Sequence, residues 1–237
     1  MYLAGSVGPA GSVARSQADA DALYTQRGDI AKARQAADIW EQQLRTNGGD
    51  FTAAWKLARA RFWLGSHAGQ NERKAFLESG IAAGRAAVAQ QPNRPEGHFW
   101  IAANMGALAE SFGLRQGLKY RGDIRDELLI VLKLDPAFQQ GSADRALGRW
   151  YLKVPSLFGG SKKKSEEHLR RSLTYNPNSI SSRFFLAETL LEMDRKADAI
   201  AELRRVAELQ PDPDWIPEDQ EFKSKAQRLL ATVQQRR

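Results

Sequence analysis

Four prolines punctuate the chain. Pro92, Pro136, Pro177 and Pro211 stand in the contexts QQPN, KLDPA, TYNPN and ELQPD, each after an amphipathic stretch, at spacings of 44, 41 and 34 residues. Proline cannot continue a helix, because it lacks an N–H and its ring clashes with the preceding turn. It also drives the residue before it towards extended backbone. This punctuation predicts short helices in pairs, with a proline stopping every second one.

The interval ending at Pro211 fits that expectation best. Its first helix reads SSRFFLAETLLEMD, with Leu186, Ala187 and Leu190 at the packing positions, and its second reads KADAIAELRRVAELQ. Ala199, Leu203 and Val206 fall at i, i+4 and i+7, one helical face. The preceding interval carries ALGRWY, in which Gly148 permits close helix approach between Leu147 and Tyr151, and then KKKSEEHLRRSLTYN, with Leu169, Ser172 and Leu173 facing inward. A 34-residue period closed by proline resembles the tetratricopeptide (TPR) repeat. Upstream, looser pairs are read over 18–46, over 53–65 with 73–90, and over 95–111 with 123–134. EDQEFKSKAQRLLATVQQ reads as the terminal cap that such arrays need. The expected fold is all-α, a TPR-type α-solenoid of about four to five helix pairs with a C-terminal capping helix. Residues 18–237 are expected to form a single repeat domain, and 1–17 a flexible segment, the remnant of an export signal.

Composition narrows the function classes. Cysteine is absent, which excludes disulfides, thiolate metal sites and cysteine nucleophiles. No run of about 18 apolar residues is present, so no membrane span is expected. The net charge of +7 and isoelectric point near 9.7 favour acidic partners, but the cations are spread along the chain, so nucleic acid is not the expected one.

The stretch KVPSLFGGSKKK (153–164) resembles a phosphate loop only superficially. It lacks the G-x-x-x-x-G-K-[ST] order, and it follows a helical pattern where a phosphate loop follows a strand. A helix–turn–helix reading is more economical. Pro155 ends one helix, Gly159 and Gly160 supply positive φ, and Ser161 caps the next. Lys162, Lys163 and Lys164 then occupy a first helical turn, where the helix dipole disfavours cations, which points to an anionic partner. Val154, Leu157 and Phe158 are expected to fold back over the solenoid, the alternative being contact with another subunit.

No catalytic constellation is legible. His67, His98 and His168 have no second histidine or carboxylate at helical metal-ligand spacing, G-x-S-x-G is absent, and the adjacent Glu166 and Glu167 point apart and are expected to be solvated. The chain is therefore expected to be no enzyme, with no catalytic residue, metal or cofactor. Binding is expected on the first helix of each pair. The groove positions fall on Lys56, Ala60 and Trp63, then Phe99, Ala103 and Gly106, then Arg145, Arg149 and Leu152, then Phe184, Glu188 and Leu191. Arg145 and Arg149, one turn apart, can face one carboxylate or phosphate. The alternative is that they pair with Asp144 or Glu188. Trp63, Phe99 and Phe184 would give apolar walls, so the groove suits a small acidic amphiphile or an acidic peptide. Lys56 is followed by Ala60 where a chaperone-tail groove needs Asn. Leu157, Phe158, Lys162 and Lys163 are the contact candidates of the loop.

The run GRWYLKVPSLFGGSKKKSEEHLRRSL, followed by NPNS and LAETLL, resembles TRAP-transporter T-component proteins, as do EGHFWIAANMGALAE and DPDWIPEDQEFKSKA. The resemblance covers roughly residues 95–230. It implies a periplasmic accessory protein of a solute-uptake system, one that associates with a substrate-binding component and can form a homotrimer. The lipid-anchor cysteine of that group has no counterpart here. The alternative is a general TPR scaffold that holds other proteins in its groove, with cytoplasmic location as the alternative to export.

Overall fold

A computed structural model of the chain describes residues 18–235, and no strand occurs among them. The segment 1–17 expected to be flexible lies outside the described residues. The helices run α1 (18–25), α2 (Ile30–Thr46), α3 (Phe51–His67), α4 (Gln70–Gln90), α5 (Pro95–Ser111), α6 (Leu114–Leu134), α7 (Phe138–Lys153), α8 (Lys162–Tyr175), α9 (Ile180–Glu192), α10 (Lys196–Glu208) and α11 (Ile216–Gln235). The order is that of TPR-type helix pairs ending in a capping helix.

The prolines act as expected. Gln91, Asp135 and Asn176, each just before a proline, leave their helices with φ of −139°, −155° and −138°. Short polar side chains start several helices. Asp29, Asp50, Ser161 and Ser179 accept hydrogen bonds from the backbone N–H groups of Ala31, Ala53, Lys164 and Ser182. Each such cap is worth about 1 kcal/mol.

The chain forms two compact units, divided between Ser111 and Phe112. In the first, α3 packs on α2, α4 and α5. Leu57, Leu64, Leu77, Ile101, Met105 and Leu108 are buried there. Asn104 is buried as well, and its amide donates to the carbonyls of Ala58 and Trp100 at 3.0 and 2.7 Å, tying α5 to α3. In the second unit, α7 packs on α6 and α8, and α9 on α8, α10 and α11. Leu169, Leu186, Leu190, Leu203 and Val206 form its core with Ala226 of α11.

Two boundaries differ from the sequence reading. The helix expected to begin at 123 begins at Leu114, because Gly117 and Gly122 break its apolar periodicity without breaking the helix. The pair expected over 95–134 is also divided, since α5 packs on α3 and α4 while α6 packs on α7. Gly148 is where the spacing put it. A Cβ there would lie 2.5 Å from the Leu169 side chain, so α7 and α8 cross as closely as a missing side chain allows.

The turn between α7 and α8 is short and ordered. Ser156–Phe158 form one turn of 3-10 helix, Gly159 takes φ +104°, and Ser161 N–H donates to the Tyr151 carbonyl at 2.9 Å. Gly160 is needed for a different reason from the one expected. Its φ is not positive, but a Cβ would lie 1.7 Å from the Val154 carbonyl oxygen.

Candidate functional site

In the second unit, the face of α7 that carries Arg145 and Arg149 meets α9 and α11. The Arg149 guanidinium donates to Glu188 at 2.7 Å and lies 4.6 Å from the centroid of the Phe185 ring. Lys153 approaches the other oxygen of Glu188 at 3.9 Å. Phe185 packs edge-on to Phe222 of α11 at 5.1 Å, and Phe184 lies 5.4 Å from the same ring. Leu152 is half-buried and Phe184 is buried in the core.

The two arginines do not share an anion. Arg145 faces Asp219 and Glu218 of α11. Burial is the larger influence on it and lowers its pKa to about 10, against the pull of the two carboxylates. Burial likewise raises the Asp219 carboxyl above its ordinary range, although Asp212 N–H donates to it at 2.9 Å. The open basic centre expected for the groove is thus an array of paired charges. Glu188 and α11 supply carboxylates where an acidic ligand would place its own.

Asp144 is not the arginines' partner either. Its side chain is wholly buried and accepts from His168 Nδ1 at 2.6 Å, with Arg171 at 3.5 Å. His168 stacks on Tyr151 at 5.2 Å. Beside this pair, the hydroxyls of Ser165 and Thr189, and of Ser172 and Ser182, meet at 2.8 Å, making a polar seam through α8 and α9. Glu166, expected to be solvated, is drawn in between Arg170 and Arg195 at 2.8 and 2.7 Å. Burial acts to raise its pKa, but the hydrogen bonds from both arginines outweigh it and hold the carboxyl below the usual carboxylate range.

In the first unit, α1 lies over the face of α3 that carries Lys56 and Trp63. Asp21 meets Lys56 at 2.6 Å and Arg59 at 3.9 Å. The Arg59 guanidinium lies 4.1 Å from the Tyr24 centroid and 5.1 Å from that of Trp55. Trp63 is buried, donates its indole N–H to the Arg27 carbonyl at 2.7 Å and stacks on His67. Phe99 is buried against Trp100, and His98 is tied to the Pro92 carbonyl. Trp63, Phe99 and Phe184 are therefore core residues more than groove walls. Among the described residues no group of three His, Asp or Glu could hold a metal ion.

The family model described as the TRAP transporter T-component matches residues 98–235, and that of regulator of microtubule dynamics protein 1-3 matches residues 17–165. The chain belongs to both families. Their matches overlap over 98–165, which includes α7 and the glycine turn. No curated protein matches the sequence significantly. Among solved structures, a thermophilic TPR protein from Thermus thermophilus is similar over 92% of this chain and 99% of its own, with 20% identity and a TM-score of 0.69. A MamA protein is similar over 91% of this chain and 96% of its own, with 12% identity and a TM-score of 0.53. These likenesses establish the TPR fold.

Within this TRAP T-component relative, sequence reasoning missed Arg59 and Asp21, and the His168–Asp144 pair. Arg59 could have been found, since it lies three residues after Lys56 on the same face of α3. The His168–Asp144 pair joins residues 24 apart on different helices and leaves no local spacing signal.

Proposed function

We propose that this chain is a non-enzymatic TPR scaffold acting as an accessory component of an exported, TRAP-type solute-uptake system, where it binds the substrate-binding component. The observation that carries this reading is the T-component match over residues 98–235, which contains the whole Arg149–Glu188–Phe185 surface. That surface alternates guanidinium, carboxylate and ammonium beside an aromatic ring, a chemistry suited to a folded or extended polypeptide with charges of both signs. A small acidic amphiphile is the less favoured occupant, because its carboxylate would have to displace Glu188.

A second reading rests on the other family match. A general scaffold would hold an acidic protein surface, in keeping with the net charge of +7. Native mass spectrometry of the protein purified gently from its own cells separates the two. Co-purification with a solute-binding protein, or a homotrimer carrying a fixed small mass, supports the uptake reading. A monomer found with unrelated acidic proteins overturns it in favour of the general scaffold.

A further inference from the structure

The turn between α7 and α8 holds apolar side chains out into water. Leu157 is 86% exposed and Phe158 39% exposed. This is not slack chain. Phe158 N–H and Gly160 N–H both donate to the Pro155 carbonyl, Gly159 N–H donates to Ser156, and Ser161 N–H donates to Tyr151. Gly160 fits against the Val154 carbonyl where no other residue would. The sequence reading expected these side chains to fold back. Phe158 is partly covered by Arg121 of α6, 5.5 Å from its ring, but Leu157 points away from the fold.

The surroundings of this tip are cationic. The segment 152–165 contains Lys153, Lys162, Lys163 and Lys164 and no acid, and on the α6 side 112–123 contains Arg115, Lys119 and Arg121 with Asp123 as its one acid. The two segments are brought together by the Arg121–Phe158 contact and by the Trp150 indole, which donates to the Arg121 carbonyl at 2.9 Å. Acids from neighbouring positions answer some of these charges. Lys153 belongs to the Glu188 cluster, whereas Lys162 is held by Glu192 and Lys163 faces Glu167 at 4.0 Å, both pairs lying on exposed side chains. Exposed pairs of this kind contribute little and are easily exchanged.

We propose that this tip is a peripheral docking site for an anionic lipid surface, with Leu157 and Phe158 entering the headgroup boundary and the lysines and arginines meeting the phosphates. The lipid surface is favoured by charge complementarity, since cations flank an exposed apolar tip. Leu157 and Phe158 alone do not make up the roughly 800 Å² per side of a stable protein interface, which would have to recruit the flanking helices as well. A bilayer has no such threshold. Apolar insertion and electrostatic attraction add together there, with about 1 kcal/mol for each cation near the surface. The rigid turn keeps the ordering cost of insertion low.

The absence of cysteine makes a direct test available. Leu157→Cys and, as a control on the exposed far end of α8, Thr174→Cys are labelled with an environment-sensitive dye. Each is titrated with vesicles of phosphatidylcholine alone and with vesicles containing about a third phosphatidylglycerol. The expected result is a blue shift at 157 with the anionic vesicles only, none at 174, and loss of the shift at high salt. Lys163→Glu together with Lys164→Gln should weaken the partitioning about tenfold or more. No shift at 157, an equal shift at 157 and 174, or an equal response to neutral vesicles overturns the proposal. So does capture of the tip by an acidic protein with vesicle binding absent.

Discussion

His168 Nδ1 lies 2.6 Å from Oδ1 of Asp144, a carboxylate with no exposure at all. Two helices, α7 and α8, are joined there by a polar contact where the TPR pattern calls for apolar packing. Removing His168 leaves Asp144 buried with Arg171, at 3.5 Å, as its remaining ionic neighbour. His168→Ala is expected to destabilise the protein by about 1–3 kcal/mol. His168→Gln, which keeps a donor, should cost less. Urea unfolding of the two variants checks this, and equal stabilities for both would show that the hydrogen bond contributes nothing.

Arg149→Ala is expected to act twice. It removes a largely buried ion pair to Glu188 and a guanidinium packed on Phe185, so a stability loss of about 1–2 kcal/mol is expected. It should also weaken partner binding, because the alternating charges of the surface are lost. Glu188→Gln removes the same ion pair but keeps the Arg149 guanidinium. If binding needs the guanidinium, Glu188→Gln retains or strengthens it while Arg149→Ala weakens it. Identical binding by the two variants would place the partner elsewhere.

Gly148→Leu should be among the most damaging substitutions in the second unit. Its Cβ alone would come within 2.5 Å of Leu169, and overpacking a helix crossing costs about 1–3 kcal/mol or more. Adding Leu169→Ala to Gly148→Ala should restore part of the stability by making room. A Gly148→Leu protein that melts like the wild type would show that α7 and α8 do not cross at this glycine.

Glu166 supplies a pH dependence whose sign follows from its environment. Its carboxyl is held below the usual range in the folded state by Arg170 and Arg195. The unfolded chain then binds the proton more readily, so the stabilisation is present above the unfolded value, near 4.3, and is lost as pH falls through the lower folded value. The stability gap between wild type and Glu166→Gln should therefore be widest near neutral pH and close in acid. Thermal melts at both pH extremes check this. A gap that widens on acidification would contradict the assignment.

How much of this was legible beforehand depends on whether the signal is local. Pro92, Pro136 and Pro177 act on the residue before them and on the turn behind them, so their effect is written into the sequence and appears as the non-helical caps Gln91, Asp135 and Asn176. Ser161 as a helix cap and Gly148 as a crossing point were equally local. Gly160 was misread because close approach to a carbonyl and positive φ both select glycine, and only the folded turn distinguishes them. The candidate groove was legible as positions but not as chemistry. Trp63, Phe99 and Phe184 fell inside the cores. Trp63 lies under Arg27, Phe99 against Trp100 on a helix packed on α3 and α4, and Phe184 against Phe222 of α11. No residue near Trp63 or Phe184 in sequence announces that cover.

The sequence by itself determined the all-helical character, most of the helix boundaries and the residues that stop the helices, because these depend on contacts within a few residues of each other. It did not determine the pairing over 95–134. Tertiary structure decided which charges meet. Arg149 finds Glu188 39 positions away, and Arg145 turns to Asp219 on the last helix while its neighbour Asp144 is taken by His168. Such pairs depend on how far one helix slides and turns against the next. That is set by the packing of Gly148 on Leu169 and of Phe222 on Phe184 and Phe185, not by any spacing within a single helix.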